Sequence, residues 1–175
     1  MKVFVLGTGG WGIALAMLLH QNGHEVTSWT YLQEECDLLH RERCNEKLLP
    51  GVVIPEGIEI TTDMSGAAKA DLVVLAGYLP ILGRQVVRAY EHRIINIHPS
   101  LLPAFRGAHA IEQALEYGVK VFGVTIHYVD GELDGGRIIA QRAFPYEGSD
   151  IEELEPMIHA VEYPLYIETI KKLIE

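Results

Sequence analysis

Short apolar runs alternate with segments of helical periodicity along the whole chain, and this alternation limits the fold more than any other feature. The strands that it predicts are residues 3–6, 25–29, 58–61, 72–75, 94–97, 122–129 and 137–143. The helices that it predicts are residues 10–21, 32–41, 81–90 and 108–117, with a short helix between residues 61 and 72. Strands that alternate with helices indicate an α/β fold around a largely parallel sheet.

Three further signals refine this interpretation. The last two strands are joined by a Gly-rich turn that is too short for a crossover helix, so we expect an antiparallel pair there. Residues 45–57 carry two prolines and two glycines, and we expect mostly loop. Ser149-x-x-Glu152 is a capping box that opens a last helical region, which Pro156 and Pro164 should break or kink. The predicted fold is one doubly wound, mostly parallel, Rossmann-like sheet of about seven strands.

Composition limits the classes of function. The chain has 175 residues and a formal net charge of −10, with 49% apolar residues. This length fits one domain with a full core, and the acidic balance argues against binding to nucleic acid or to an anionic membrane. The N-terminus does not look like a targeting signal, and no stretch of about 18 uninterrupted apolar residues predicts a membrane span. Cys36 and Cys44 are too few for a disulfide framework, so we expect reduced thiols in a cytoplasmic protein.

A glycine-rich loop follows the first predicted strand and opens the first predicted helix. Its residues are Gly7, Thr8, Gly9, Gly10, Trp11 and Gly12. The loop fits Gly-x-Gly-x-x-Gly, in which the glycines allow a tight turn, the close approach of a pyrophosphate and close helix packing. The acidic residue that binds ribose in dinucleotide sites is missing at the end of the second strand, since Glu34 and Glu35 come later. The loop therefore predicts a phosphate-type ligand more firmly than NAD, and a tight turn without a ligand is the alternative.

The N-terminal part of the chain resembles bacterial NAD(P)-dependent glycerol-3-phosphate dehydrogenases. The segments that carry this resemblance are residues 5–12, 22–26, 49–51 and 70–76. Those enzymes need a large C-terminal helical domain that carries their catalytic lysine, and nothing after Ala76 resembles it. The resemblance implies at most a residual capacity to bind NAD(P), without dehydrogenase activity.

A second constellation follows the strand that ends near Ile97. Asn96 and His98 alternate along an extended backbone, so both side chains should point to one face of the sheet. An amide that can donate to an oxyanion beside an imidazole that titrates near neutral pH suits acyl-type transfer. Asp134, in the carboxylate-rich turn 130–136, can orient that histidine or receive a proton from an amine. Taken singly, however, a histidine after a strand is more often structural, and acidic residues in such a turn often cap their own backbone.

Together these residues resemble the glycinamide ribonucleotide formyltransferases, folate-dependent enzymes of purine synthesis. The resemblance covers residues 75–175, and its blocks are 75–78, 96–103, 123–129 and 133–136. It implies that Asn96, His98 and Asp134 are catalytic and that His127 supports them. It also implies that Glu162 contacts the nucleotide substrate. The folate pocket that it implies is formed by Leu79, Ile81, Leu82, Val86, Val129, Asp130 and Leu133.

The formyltransferase resemblance also implies the other molecules involved. Formyltetrahydrofolate is a co-substrate, glycinamide ribonucleotide is the acceptor, and no metal is required. We expect small-molecule substrates only and a monomer or a homodimer.

Two departures from the formyltransferase pattern lie near its ligands. Gly10 and Trp11 stand where that family has Ser-Asn in its phosphate loop, and Pro80 stands where it has an arginine. The two resemblances meet near Ala76, which predicts one domain built from two halves, residues 1–76 and 77–175, in an engineered chimera. We expect weak formyl transfer from such a chain. The alternatives are a nucleotide-binding module without catalysis, a purely structural scaffold, and a formyltetrahydrofolate hydrolase.

Overall fold

The computed structural model describes residues 1–76, 84–90 and 92–174, and it leaves the side chains of residues 84–86 undescribed. These residues fall into two compact units, one before residue 84 and one from Arg84 onward. Each unit has its own sheet strands and helices.

The first unit is built on four parallel strands in the order β5-β2-β1-β6. Its elements are β1 (Lys2–Leu6), α1 (Gly10–Gln21), β2 (Glu25–Trp29), α2 (Gln33–Glu42), β3 (Cys44–Asn45), β4 (Leu49–Val53), β5 (Glu59–Thr61), a 3-10 helix (Met64–Lys69) and β6 (Leu72–Leu75). Strands β1 and β6 are buried along almost their whole length because they consist of consecutive apolar residues. Helix α1 ends where the sequence predicts, since Asn22 is its C-cap and Gly23 takes a φ of 83°.

Residues 45–57 are mostly loop and turn, as predicted, but they also contain strand residues that the prediction left out. Strands β3 and β4 pair there as a short antiparallel hairpin with an irregular register. Pro50 and Gly51 lie within β4. A proline fits there because a strand with only one partner has a free edge that needs no backbone donor. Cys44 belongs to this hairpin and Cys36 is buried in α2, and both thiols are free.

The second unit has three strands in the order β7-β8-β9, and both of its strand pairs are antiparallel. Its elements are α3 (Arg84–Ala89), β7 (Ile94–His98), α4 (Ala110–Tyr117), β8 (Val121–Tyr128), β9 (Ile138–Pro145) and α5 (Ile151–Ile174). The predicted antiparallel pair, β8 with β9, is confirmed. The pairing of β7 with β8 is also antiparallel, which the alternation of strands and helices did not predict.

Helix α5 corrects two details of the prediction. Its first turn is capped by Asp150, whose carboxylate accepts from the backbone N–H of Glu152 at 2.9 Å, and not by Ser149. The helix continues through Pro156 and Pro164, so neither proline ends it. Tyr166, one turn after Glu162, is fully buried and donates a hydrogen bond to the carbonyl of Ile95 at 3.2 Å. This bond fixes α5 to β7, the strand that carries Asn96 and His98.

Parallel strands in the first unit, antiparallel strands in the second and helices in both agree with the predicted α/β class. The described helices include none that is long and apolar enough to span a bilayer.

Candidate active site

One face of the β7-β8-β9 sheet carries a row of polar side chains. Asn96 and His98 alternate on β7, and their direct partners on β8 are His127 and Thr125. Residues directly opposite each other in an antiparallel pair share a face, so all four side chains lie on the same side. His98, Thr125 and His127 are each buried to at least 96%, whereas Asn96 is half-buried.

The carboxylate of Asp134 lies next to two side chains of this row, His98 and His127. Its Oδ2 is 3.4 Å from Nδ1 of His98, and its Oδ1 is 3.5 Å from Nε2 of His127. The backbone N–H of Gly107 donates to Oδ2 at 2.8 Å. Asp134 has a φ of 47°, a left-handed conformation that aspartate tolerates better than most residues. The turn after β8 thus brings the predicted aspartate onto the predicted histidine.

These contacts change the acidity of Asp134. Its pKa is lowered to about 2, first by the imidazole of His127, whose Nε2 lies 3.5 Å away, and then by the Gly107 N–H and the charge of His98, while burial opposes the shift. Asp134 is therefore a carboxylate at neutral pH and well into the acid range.

The second nitrogen of each histidine faces a backbone carbonyl. Nε2 of His98 is 2.8 Å from the carbonyl oxygen of Phe105, and Nδ1 of His127 is 2.9 Å from that of Tyr128. Each ring thus lies between a carbonyl and the carboxylate of Asp134. A doubly protonated ring can donate at both nitrogens, whereas a neutral ring leaves one of these acceptors without a donor. The arrangement suits a positive charge held beside Asp134.

Asn96 differs from its neighbours in this row. Its side-chain amide makes no hydrogen bond to any other residue that the structure describes. A half-buried amide with free donors on the same face as His98 can donate to a ligand.

The other predicted ligand contacts are only partly described. Leu79, Ile81 and Leu82 lie outside the described residues, as does the side chain of Val86. Within the turn that carries Asp134, Val129 donates its N–H to Ile94, and the carboxylate of Asp130 accepts from the N–H of Glu132 at 2.8 Å. The side chain of Leu133 is 60% exposed and borders Gly107.

Glu162 is nearly buried in α5. Its carboxylate is 2.7 Å from Nδ1 of His159. Nothing in the sequence analysis pointed to His159, although its spacing of three residues from Glu162 on a helix places the two side chains together.

The glycine loop belongs to the first unit and has the geometry that its spacing predicts. A Cβ at Gly7, whose φ is 124°, would lie 2.2 Å from the carbonyl oxygen of Ala76, and a Cβ at Gly12 would lie 2.1 Å from that of Gly7. Both positions therefore require glycine. A Cβ at Gly9, the N-cap of α1, would meet nothing within 4 Å, while one at Gly10 would approach the carbonyl of Leu48. Trp11 is half-buried beside them.

Sequence reasoning missed the backbone groups that complete the site. The carbonyl of Phe105 and the N–H of Gly107 are invisible to an analysis of side chains, and no residue motif marks them. Within the described ranges, no cluster of histidine, cysteine, aspartate and glutamate is arranged to hold a metal ion.

Comparison with known proteins assigns the family. A sequence profile described as Formyl transferase matches residues 1–170. The chain belongs to the formyl transferase family. This profile crosses residue 76 without a break, so the comparisons do not support a dehydrogenase-derived first half, a chimera of two families or an NAD site.

Three of the proteins that this chain matches illustrate the similarity. The phosphoribosylglycinamide formyltransferase of Bacillus subtilis is 48% identical over 107 residues, which cover 61% of this chain and 55% of that protein. The chain spans about half the length of the curated relatives it matches. The crystal structure of phosphoribosylglycinamide formyltransferase from Bacillus halodurans is 36% identical, with a TM-score of 0.74, over 100% of this chain and 96% of that one. This similarity confirms the predicted fold class.

A third relative carries a different name. A formyltetrahydrofolate deformylase from Pseudomonas syringae is 29% identical, with a TM-score of 0.72, over 97% of this chain and 59% of that chain.

Proposed function

We propose that this protein transfers a formyl group from formyltetrahydrofolate to the amine of glycinamide ribonucleotide. The observation that carries the proposal is the Asp134 carboxylate held between His98 and His127, on the same sheet face as the amide of Asn96, to which no other described residue hydrogen-bonds. The names of the B. subtilis and B. halodurans relatives supply formyl transfer and the acceptor, and the sequence resemblance supplies formyltetrahydrofolate as the donor.

In the proposed reaction the amine nitrogen attacks the formyl carbon and forms a tetrahedral intermediate with a negative oxygen. The bond from that carbon to the folate nitrogen then breaks. The folate nitrogen takes up a proton, and the amine nitrogen loses one. Acyl transfer of this kind needs a donor for the oxyanion and a group that holds a proton near neutral pH.

The residues of this site fit those two tasks. Asn96 is the direct donor to the oxyanion, since its amide is not engaged elsewhere among the described residues. His98 supplies positive charge beside the reacting carbon, while its two ring nitrogens face the Phe105 carbonyl and Asp134. Asp134, ionised throughout the working range, stabilises the charged ring of His98, and His127 and Gly107 hold Asp134 in place.

The binding residues follow the same proposal. Leu79, Ile81, Leu82 and Val86 would line the folate pocket together with the turn that contains Val129, Asp130 and Leu133. Glu162 would contact the nucleotide substrate. In the first unit, the backbone amides of the Gly7–Gly12 loop would bind a phosphate group.

The test is formyl transfer by the intact chain, with formyltetrahydrofolate and glycinamide ribonucleotide as substrates. We expect His98→Ala to lower kcat by about 100-fold or more, as the loss of an acid–base group does. His24→Ala, which removes a histidine in the first unit, is the matched control and should keep the wild-type rate. Equal rates in wild type and His98→Ala would refute the proposal.

The second candidate is hydrolysis of formyltetrahydrofolate, which the similarity to the P. syringae deformylase favours. In that reaction water replaces the amine as the nucleophile, and formate is released. Measuring formate and formylated nucleotide with and without the amine acceptor separates the two activities. Formate that forms at the same rate in both cases would favour the hydrolase.

A further inference from the structure

The segment that follows His98 is held by a hydrogen-bond network centred on Thr125. The Thr125 hydroxyl donates to the carbonyl of Ser100 at 2.7 Å and accepts from the backbone N–H of Leu102 at 3.0 Å. The Gln141 amide donates to Thr125 Oγ1 at 2.9 Å and to the carbonyl of Leu102 at 3.0 Å. Thr125 is completely buried, and Gln141 is its direct partner on β9. Two neighbouring strands thus fix residues 100–102.

The same segment continues to the carbonyl that contacts His98. The Ser100 hydroxyl, itself 97% buried, donates to the carbonyl of Ala104 at 2.6 Å and closes the turn that precedes Phe105. Phe105 has a φ of 53°, a conformation that a residue with a Cβ seldom adopts. Its carbonyl therefore takes its place beside Nε2 of His98 because the surrounding contacts hold it there, not because the local chain prefers that geometry.

We infer that Thr125 is a positioning residue for the reaction, and that its hydroxyl sets the orientation of the His98 ring through the Ser100–Phe105 segment. Gln141 and Ser100 assist it. Thr125 does not touch the reacting atoms in this assignment. It fixes the carbonyl of Phe105, and that carbonyl accepts from Nε2–H of His98, so that Nδ1 faces Asp134.

The expected effect on kcat rests on the proposed function. The expected effect on the orientation of the His98 ring does not. A ring that is held at Nε2 by a fixed carbonyl has a slowly exchanging proton at that nitrogen. NMR of protein with 15N-labelled histidine detects that proton whether or not the chain transfers formyl groups. The two readouts separate failure of the inference from failure of the proposed function.

The decisive comparison is Thr125→Val against Thr125→Ser. Valine keeps the shape of threonine and loses the hydroxyl, whereas serine keeps the hydroxyl. We expect Thr125→Val to lower kcat about tenfold or more, with the KM for each substrate within about twofold of wild type, because misplaced catalytic groups slow the chemical step more than binding. We expect Thr125→Ser to restore kcat to within about threefold. The Nε2 proton signal of His98 should disappear in the valine variant and persist in the serine variant.

Two further variants complete the test. Thr169→Val removes a buried hydroxyl whose one partner among the described residues is the carbonyl of Leu165 within α5, and it should change neither kcat nor the His98 signal. Gln141→Ala alters an exposed side chain, so it tests the network even where Thr125→Val does not fold, and we expect a smaller loss of kcat in the same direction. The inference is overturned by a wild-type His98 signal in Thr125→Val, or in Gln141→Ala should the valine variant not fold. Equal loss of kcat in Thr125→Val and Thr125→Ser also overturns it.

Discussion

Asp134 shows how one residue combines backbone conformation, charge and partners. Its left-handed backbone aims the carboxylate at two histidines, and its pKa of about 2 keeps it charged. Residue type alone indicated that an aspartate in this turn can orient His98. The second histidine and the Gly107 N–H come from β8 and from the segment after β7, and only folding brings them to the carboxylate.

We predict that Asp134→Asn lowers stability at neutral pH and that this loss disappears in acid. Asparagine tolerates the left-handed backbone, so the variant removes charge without strain. A carboxylate whose pKa is lower in the folded than in the unfolded chain stabilises the fold above its unfolded pKa, and this stabilisation is lost as the pH falls through the folded pKa. The difference between wild type and variant should therefore shrink between about pH 4 and about pH 2.

Urea denaturation across that pH range measures this difference. Glu116→Gln, a change at an exposed carboxylate of α4, is the control and should follow wild type at every pH. A difference between wild type and Asp134→Asn that is constant from neutral pH to pH 2 would contradict the prediction.

Ser28 gives a second prediction at this scale. The residue is 97% buried, and its hydroxyl has no hydrogen-bond partner among the described residues. Ser28 lines a small cavity together with Ile13, Leu39 and Ile58. An unsatisfied buried hydroxyl costs about 1–3 kcal/mol, so we expect Ser28→Ala to raise the free energy of unfolding by about 1 kcal/mol.

Thr125→Val is the matched contrast for Ser28→Ala, since it removes a buried hydroxyl that has three partners. It should lower the free energy of unfolding by about 1–3 kcal/mol. Chemical denaturation of both variants and of wild type measures these differences in the free energy of unfolding. A loss of stability in Ser28→Ala as large as that in Thr125→Val would show that the Ser28 hydroxyl is satisfied in the folded protein.

At the scale of secondary-structure elements, short-range sequence signals determine where a helix ends, and α4 is an example. Gly118 is the C-cap of α4 and takes a φ of 82°, and its N–H bonds to the carbonyls of Ala114 and Leu115. A Cβ at this position would meet nothing within 4 Å. Any effect of a substitution there comes from the backbone alone.

We therefore predict that Gly118→Ala lowers the free energy of unfolding by about 1 kcal/mol, the cost of a left-handed conformation for a residue with a Cβ. Gly118→Asn should lose less, because asparagine adopts this conformation more readily. Thermal unfolding followed by circular dichroism compares the two. Equal stability of Gly118→Ala and wild type would show that α4 ends differently in solution.

At the scale of the whole molecule, net charge affects the association of the chain with its proposed ligands. The formal charge of −10 opposes the approach of an anionic nucleotide and of a folate with its carboxylates. Salt screens this long-range repulsion over a Debye length of about 10 Å at 0.1 M.

We predict that the KM for each anionic substrate falls by about twofold when the ionic strength is raised from about 0.01 to about 0.1 M, since screening reduces the repulsion. Steady-state kinetics at several concentrations of sodium chloride measures this. The same salt concentrations added to the assay mixture without enzyme control for direct effects of salt on the readout. A KM that rises about tenfold over this range would show that exposed cations dominate binding.

Several features of this protein follow from its sequence by short-range physics. The apolar runs of β1, β6 and β7 predict buried strands, and the Gly-x-Gly-x-x-Gly spacing predicts a tight turn into α1, because each depends on neighbours within a few residues. The alternation of Asn96 and His98 places them on one face for the same reason. A resemblance carried by whole blocks of residues pointed to the formyl transferase family in the second half of the chain.

Only the tertiary structure decided the rest. The antiparallel pairing of β7 with β8, the convergence of His127 and Asp134, and the role of Thr125 depend on contacts between residues far apart in the chain. The chimera that two local resemblances had suggested was overturned by a sequence profile over residues 1–170, and not by the tertiary structure. Backbone groups such as the Phe105 carbonyl and the Gly107 N–H are present in every residue, so a sequence cannot mark which of them a fold will place beside His98 and Asp134.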